Sequence, residues 1–243
     1  MEKHFNTIKD TFVIQNGIKV YNFNWCLNYI EYQGKLIYGR SFKIEVVDHQ
    51  TILKLVIYAI RDENKAQELN LDLNKGILLS GPIGCGKTSI MALIRPFFYH
   101  KHDYKIKTCR EISFEFAKNG FEALQNYTQK EHTQSRLTGY CFDDLGAEQN
   151  IKHYGNDLNV MAEIIISRYE DFVQNQSITH ITTNLSASEI EALYGNRLRS
   201  RMRSMFNLIT FNNESRDKRW FFSVMTLSYR AKLGIYFEVG LLF

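Results

Sequence analysis

Gly81-Pro82-Ile83-Gly84-Cys85-Gly86-Lys87-Thr88 decides the fold. The string fits G-x-x-x-x-G-K-[ST] at every fixed position. It follows the apolar run Gly76-Ile77-Leu78-Leu79-Ser80, which suits a strand covered on both faces of a parallel sheet. The glycines allow backbone conformations closed to residues with a Cβ. Successive N–H groups then turn inward and hold phosphate oxygens. A helix expected over 86–94 adds the positive end of its dipole and carries Ser89 in its first turn. In this geometry Lys87 reaches the β- and γ-phosphates and Thr88 ligates Mg²⁺. The expected ligand is ATP with Mg²⁺, and Cys85 reads as a small filler within the loop.

Downstream, strands and helices alternate. Residues 104–108 read as a second strand, 111–118 and 121–127 as helices, and 138–142 as a third strand that ends at Asp143-Asp144. The longest helical pattern covers 156–173. Residues 178–184 give a fourth strand, Ser186 and Glu189 a capping box, and 206–211 a fifth strand. Upstream, 48–60 is helical by the spacing of Ile52, Leu55, Val56, Ala59 and Ile60. Such alternation means an α/β domain around a parallel sheet. Residues 1–45 carry turn signals at Asn16-Gly17 and Gln33-Gly34; the second either closes a hairpin or sits in an irregular arm.

Ligands in open α/β sheets collect at the carboxyl ends of the strands. Asp143 is therefore assigned to magnesium and Asp144 to orienting the attacking water, with Glu148 the weaker candidate for that second role. Asn184, at the end of the fourth strand, reads either as a contact to the γ-phosphate or its water, or as an ordinary turn residue. Arg197 and Arg201 stand four apart, on one helix face. They read either as groups that stabilise phosphoryl-transfer charge in a neighbouring subunit or as a basic face for DNA phosphates.

GPIGCGKT, YCFDDLGAE, ITTN and RLRSRM, in that order, resemble the AAA+ ATPases of the DnaC/IstB type. That group includes replicative helicase loaders and transposition helper ATPases. The resemblance covers about residues 50–219 and implies a P-loop fold with a five-stranded parallel sheet of order 5-1-4-3-2. It also implies an arginine finger at Arg201 supported by Arg197, ATP hydrolysis, homo-oligomers in the ATP state, single-stranded DNA contact, and a replicative helicase or transposase as partner. The chain divides accordingly into a partner-binding extension over 1–45, an ATPase domain over 46–219 and an apolar tail over 220–243. Three departures stand out: Asp144 occupies a position where the family commonly has Glu, no C-terminal lid bundle or sensor-2 arginine is legible, and residues 220–243 match nothing in the family.

Composition fits this reading. The 243 residues carry a net charge of +4, and seven basic residues face only Glu214 and Asp217 between 197 and 219. Such a segment suits phosphates or nucleic acid. Four cysteines without a CxxC pair argue against zinc or a disulfide framework. No apolar stretch has the length of a membrane span, so a cytoplasmic location is the default expectation. Two other functions remain open: a small-molecule P-loop kinase with 197–203 as its lid, and an ATP-gated DNA-binding adaptor with vestigial hydrolysis.

Overall fold

The computed structural model describes residues 5–129, 137–148, 151–153, 156–212, 214–215 and 217–218. The apolar tail over 220–243 lies outside the described residues. Strands β1 (Phe12–Gln15) and β2 (Ile18–Tyr21) pair antiparallel across Asn16-Gly17. Both turn residues have positive φ, 51° and 77°, as a tight two-residue hairpin requires. The second turn signal closes nothing. Gln33-Gly34 lies inside helix α1 (Phe23–Tyr38), so neither a hairpin nor an irregular arm forms there. A Cβ on Gly34 would stand 2.2 Å from the Phe42 ring. The glycine therefore serves close packing of the following loop onto the helix, and this is why it read as a turn.

Helices α2 (His49–Ile60) and α3 (Glu63–Glu68) lead into β3 (Gly76–Ser80), the P-loop and α4 (Lys87–Ile94). Then follow β4 (Lys105–Thr108), α5 (Cys109–Asn119), α6 (Phe121–Thr128) and β5 (Tyr140–Leu145). A small antiparallel pair, β6 (Ile151–His153) and β7 (Asn156–Leu158), precedes α7 (Val160–Asn175). The helix expected from 156 begins only at Val160, because the Asn159 side chain accepts from the Ala162 N–H and caps it. The chain continues through β8 (Thr179–Thr183), α8 (Ala187–Met205) and β9 (Phe206–Thr210). Kinked α8, rather than α7, is the longest helix among the described residues, and it opens with the capping box at Ser186 and Glu189.

Five strands form one parallel sheet in the order β4-β5-β8-β3-β9. Whole-chain numbering differs from 5-1-4-3-2 because the two small hairpins interrupt the count. Numbered within the sheet alone and read from the β9 edge, the sequence of strands is 5-1-4-3-2. One apolar cluster joins α1, α2 and α4, with Ile30, Leu55, Ile77 and Met91 at its centre. A second joins α5, α7 and α8 around Phe116, Phe142 and Ile164. The sheet is thus covered on both faces, which is why its central strands read as unbroken apolar runs.

The central pairing of β3 with β8 leaves no room at its start. A Cβ on Gly76 would sit 1.7 Å from the Thr179 carbonyl oxygen. Gly76→Ala is expected to destabilise the fold by about 3 kcal/mol through overpacking against backbone. Chemical denaturation followed by circular dichroism measures this directly.

Candidate functional site

The carboxyl ends of β3, β5 and β8 meet at one edge of the sheet. The P-loop leaves β3 there. Gly84 and Gly86 take φ of 78° and 99°, values that a side chain would strain. Lys87 is only 7% exposed. Its Nζ donates to the Gly81 and Pro82 carbonyls at 2.8 and 2.9 Å. No carboxylate holds it among the described hydrogen bonds; its one other partner there is Cys85 Sγ, at 4.0 Å.

Thr88 Oγ1 stands 3.0 Å from both carboxylate oxygens of Asp143. Asp143 is 3% exposed. Burial pushes its carboxyl above the usual carboxylate range, while hydrogen bonds from Thr182 and Thr88 pull the other way. Thr182 Oγ1 donates to Asp143 at 2.6 Å and accepts the Asp144 N–H at 2.9 Å. Thr182 was not singled out in the sequence. A threonine inside a strand reads as ordinary β-branched filling, and only the neighbouring placement of β5 and β8 reveals its partners.

Asp144 is exposed and adopts φ of 62°, a left-handed conformation, where β5 shifts register against β8. This uncommon backbone leaves Asp144 exposed between two buried residues, Asp143 and Leu145, while the strand continues to pair through Leu145. Glu148 is not free to take the same role. Its two oxygens accept the Gly146 N–H, at 2.8 Å, and the Tyr194 hydroxyl. Asn184 follows β8 and is exposed.

Arg197 and Arg201 lie in the second half of α8. No hydrogen bond or ion pair joins either to the P-loop or to the acidic strand end among the described residues. The Arg201 guanidinium sits over the Tyr169 ring, 5.2 Å from its centroid. Its Nη1 reaches the Arg197 carbonyl at 3.4 Å, and its Nε is buried without a partner. Arg201 thus holds an under-satisfied cation on the surface formed by α7 and α8. The Arg197 side chain is exposed and contributes only its carbonyl to this contact.

Phe211, Asp217 and Lys218 lie against the P-loop. The Lys218 N–H donates to the Gly84 carbonyl at 3.0 Å. A Cβ on Gly84 would strike the Asp217 carboxylate at 2.1 Å. Asp48, fully buried, accepts from Ser215 Oγ at 2.6 Å and from Lys218 Nζ. Beside this latch an apolar cleft is lined by Phe42, Ile44, Cys85, Ser89, Ile90 and Phe211. Cys85 is completely buried, and burial raises its thiol, so the loop cysteine fills space.

No protein-family model matches the chain, and no curated protein matches it. Among solved structures it is similar to the DnaC helicase loader, at 17% identity over 70% of this chain and 92% of that one, with a TM-score of 0.49. It is similar to DnaI at 18% identity over 72% and 89%, with a TM-score of 0.47. It is also similar to AMPPCP-bound DnaA from Aquifex aeolicus, at 14% identity over 76% and 52%, with a TM-score of 0.44. The P-loop architecture itself rests on the sheet order and on the strand–loop–helix junction at Gly81 to Thr88. No helix among the described residues is long and apolar enough to cross a membrane.

Proposed function

We propose that the chain is an ATP-hydrolysing AAA+ protein that acts on DNA with a protein partner, in the manner of a helicase loader. The observation that carries this reading is the contact of Thr88 with Asp143 beside Lys87. These three groups come from the loop helix and from a different strand, and they converge where triphosphate and Mg²⁺ belong. The donor set fits the ion: one hydroxyl and one carboxylate, both oxygen ligands. Bound Mg²⁺ supplies charge to stabilise the phosphates and would reverse the effect of burial on Asp143. Asp144, projecting from its left-handed backbone, is the carboxylate that would orient the attacking water.

Arg201 completes the reading. No hydrogen bond or ion pair ties it to its own P-loop among the described residues, and its buried Nε has no hydrogen-bond partner. An anion on a neighbouring copy would satisfy it, as an arginine supplied in trans does in phosphoryl transfer. The resemblance of the four ordered motifs to loaders and transposition helpers then names the class of partner, a helicase or transposase, and single-stranded DNA as the surface for the basic segment.

Turnover of ATP should rise with protein concentration and respond to single-stranded DNA. Arg201→Ala should lower the assembled rate at least about tenfold while leaving ATP affinity intact. Wild-type turnover in that variant would remove the trans assignment. A second reading, an ATP-gated adaptor, is favoured by the short side chain at Asp144. Tight ATP binding with no turnover under any condition selects it.

A further inference from the structure

The acidic strand end and the arginine-bearing helix are tied together by a pair of residues with no place in the phosphate chemistry. Glu148 follows the turn after β5, where the Ala147 N–H donates to the Asp144 carbonyl at 3.0 Å. One Glu148 oxygen accepts the Gly146 N–H at 2.8 Å, inside that turn. The other accepts the Tyr194 hydroxyl, 46 residues along the chain. Burial, reinforced by the adjacent Glu148, raises the Tyr194 phenol, so it stays protonated and remains a donor.

Tyr194 immediately precedes a break. Gly195 has φ of 80° and ψ of 159° within α8, so two helical halves meet there at an angle. A Cβ at Gly195 would meet nothing within 4 Å, so the glycine is there for its backbone conformation and not for space. An ion pair between Arg199 and Glu191 spans the break. Beyond it, Leu198, Met202 and Met205 are buried, Arg197 is exposed and Arg201 is half-buried. The direction of this second half fixes where Arg201 points.

The turn itself cannot move alone. A Cβ on Gly146 would stand 2.5 Å from Leu185. Leu185 N–H is bonded to Thr183 Oγ1, which in turn donates to the Leu145 carbonyl. A shift of the Asp144 turn is therefore passed to the β8–α8 connection and, through Glu148, to the residue at the break.

We propose that Glu148 and Tyr194 are positioning residues that couple the acidic strand end to the hinge at Gly195, and so set the presentation of Arg201 to the next subunit. The inference rests on the trans-arginine reading above. It assigns Glu148 a mechanical task in place of water activation, and it makes the state of one nucleotide site felt at the neighbouring one. Coupling of this kind needs an element with two arrangements that both sites bias. The break at Gly195 is the element to which this proposal gives that role.

The test compares Tyr194→Phe, Glu148→Ala, Glu148→Gln and Arg201→Ala in the full chain. ATP affinity, and turnover per chain as a function of protein concentration, are measured for each. Tyr194→Phe removes a single hydroxyl and keeps the ring, so it protects the test if Glu148→Ala fails to fold. Tyr194→Phe and Glu148→Ala are expected to bind ATP within about twofold of wild type and to lose about five- to tenfold of the concentration-dependent rate. Glu148→Gln, which keeps one accepting oxygen and the side-chain length, is expected to recover part of that rate. If both Tyr194→Phe and Glu148→Ala turn over as wild type does while Arg201→Ala is impaired, the coupling is overturned and the arginine assignment stands. If Arg201→Ala is itself unimpaired, the trans reading fails and the coupling falls with it.

Discussion

Lys87→Ala is expected to lose on the order of a thousandfold in kcat/KM for ATP while leaving the folded chain at least as stable as before. The two halves of this expectation have one cause. In the structure the Lys87 ammonium is nearly buried and rests on two neutral carbonyls, of Gly81 and Pro82. A charge so placed costs desolvation that carbonyl dipoles only partly offset. Removing it relieves the fold by up to about 1 kcal/mol. The same ammonium gains two charge-assisted contacts when phosphates arrive, and these strengthen as charge moves during transfer. Thermal unfolding separates the two effects. The wild-type midpoint should rise with MgATP, as ligand linkage requires. The Lys87→Ala midpoint should be equal or higher without nucleotide and should not respond to it. A variant that still shows the MgATP-dependent rise would place the triphosphate elsewhere.

Arg168→Ala is expected to cost about 5 kcal/mol, near the upper end for single substitutions. Arg168 is 1% exposed and lies in α7. Its Nε donates to Thr179 Oγ1 at 2.7 Å, Nη1 to the Tyr127 carbonyl at 2.7 Å and Nη2 to the Thr138 carbonyl at 3.0 Å. The guanidinium also lies over Tyr140 and Phe142, at 5.5 and 5.6 Å from their centroids. One side chain thus satisfies the end of α6, the approach to β5 and the start of β8. Burial pulls its guanidinium down to about 10, so it is still charged at neutral pH. Truncation leaves a cavity and takes away the donor that each of these oxygens has in Arg168, and both terms add. Arg168→Met fills the space but not the bonds, and should recover about 2 kcal/mol of the loss. Urea unfolding of the two variants gives the comparison. A loss below about 2 kcal/mol in Arg168→Ala would mean that water or neighbouring groups take over these carbonyls.

What the sequence made legible follows from range. The P-loop, the capping box at Ser186 and the apolar strands are patterns held within a few residues, and each stands where its pattern puts it. Asp143 and Thr88 were assigned to one ion from separate motifs, and the structure brings them into contact. The misreading at Gln33-Gly34 has a nonlocal cause: a glycine there makes room for Phe42, and that cannot be told from a glycine needed for a turn. Thr182, the Glu148–Tyr194 pair and Arg168 escaped notice because their partners lie 39, 46 and 41 residues away. Side chains that act across the sheet leave no periodic trace.

The latch at Asp48 has a consequence in time. Its partners Ser215 and Lys218 come 167 and 170 residues later. At roughly 5–20 residues per second, a ribosome delivers them on the order of ten to thirty seconds after Asp48. Until then the nascent chain has a P-loop without its outer support at Gly84 and a carboxylate without its cation. On the proposed function, the support for the nucleotide loop is therefore among the last parts the growing polypeptide acquires. A chain cut off before Ser215 would hold the eight-residue motif and all five strands of the sheet, yet lack the brace at Gly84.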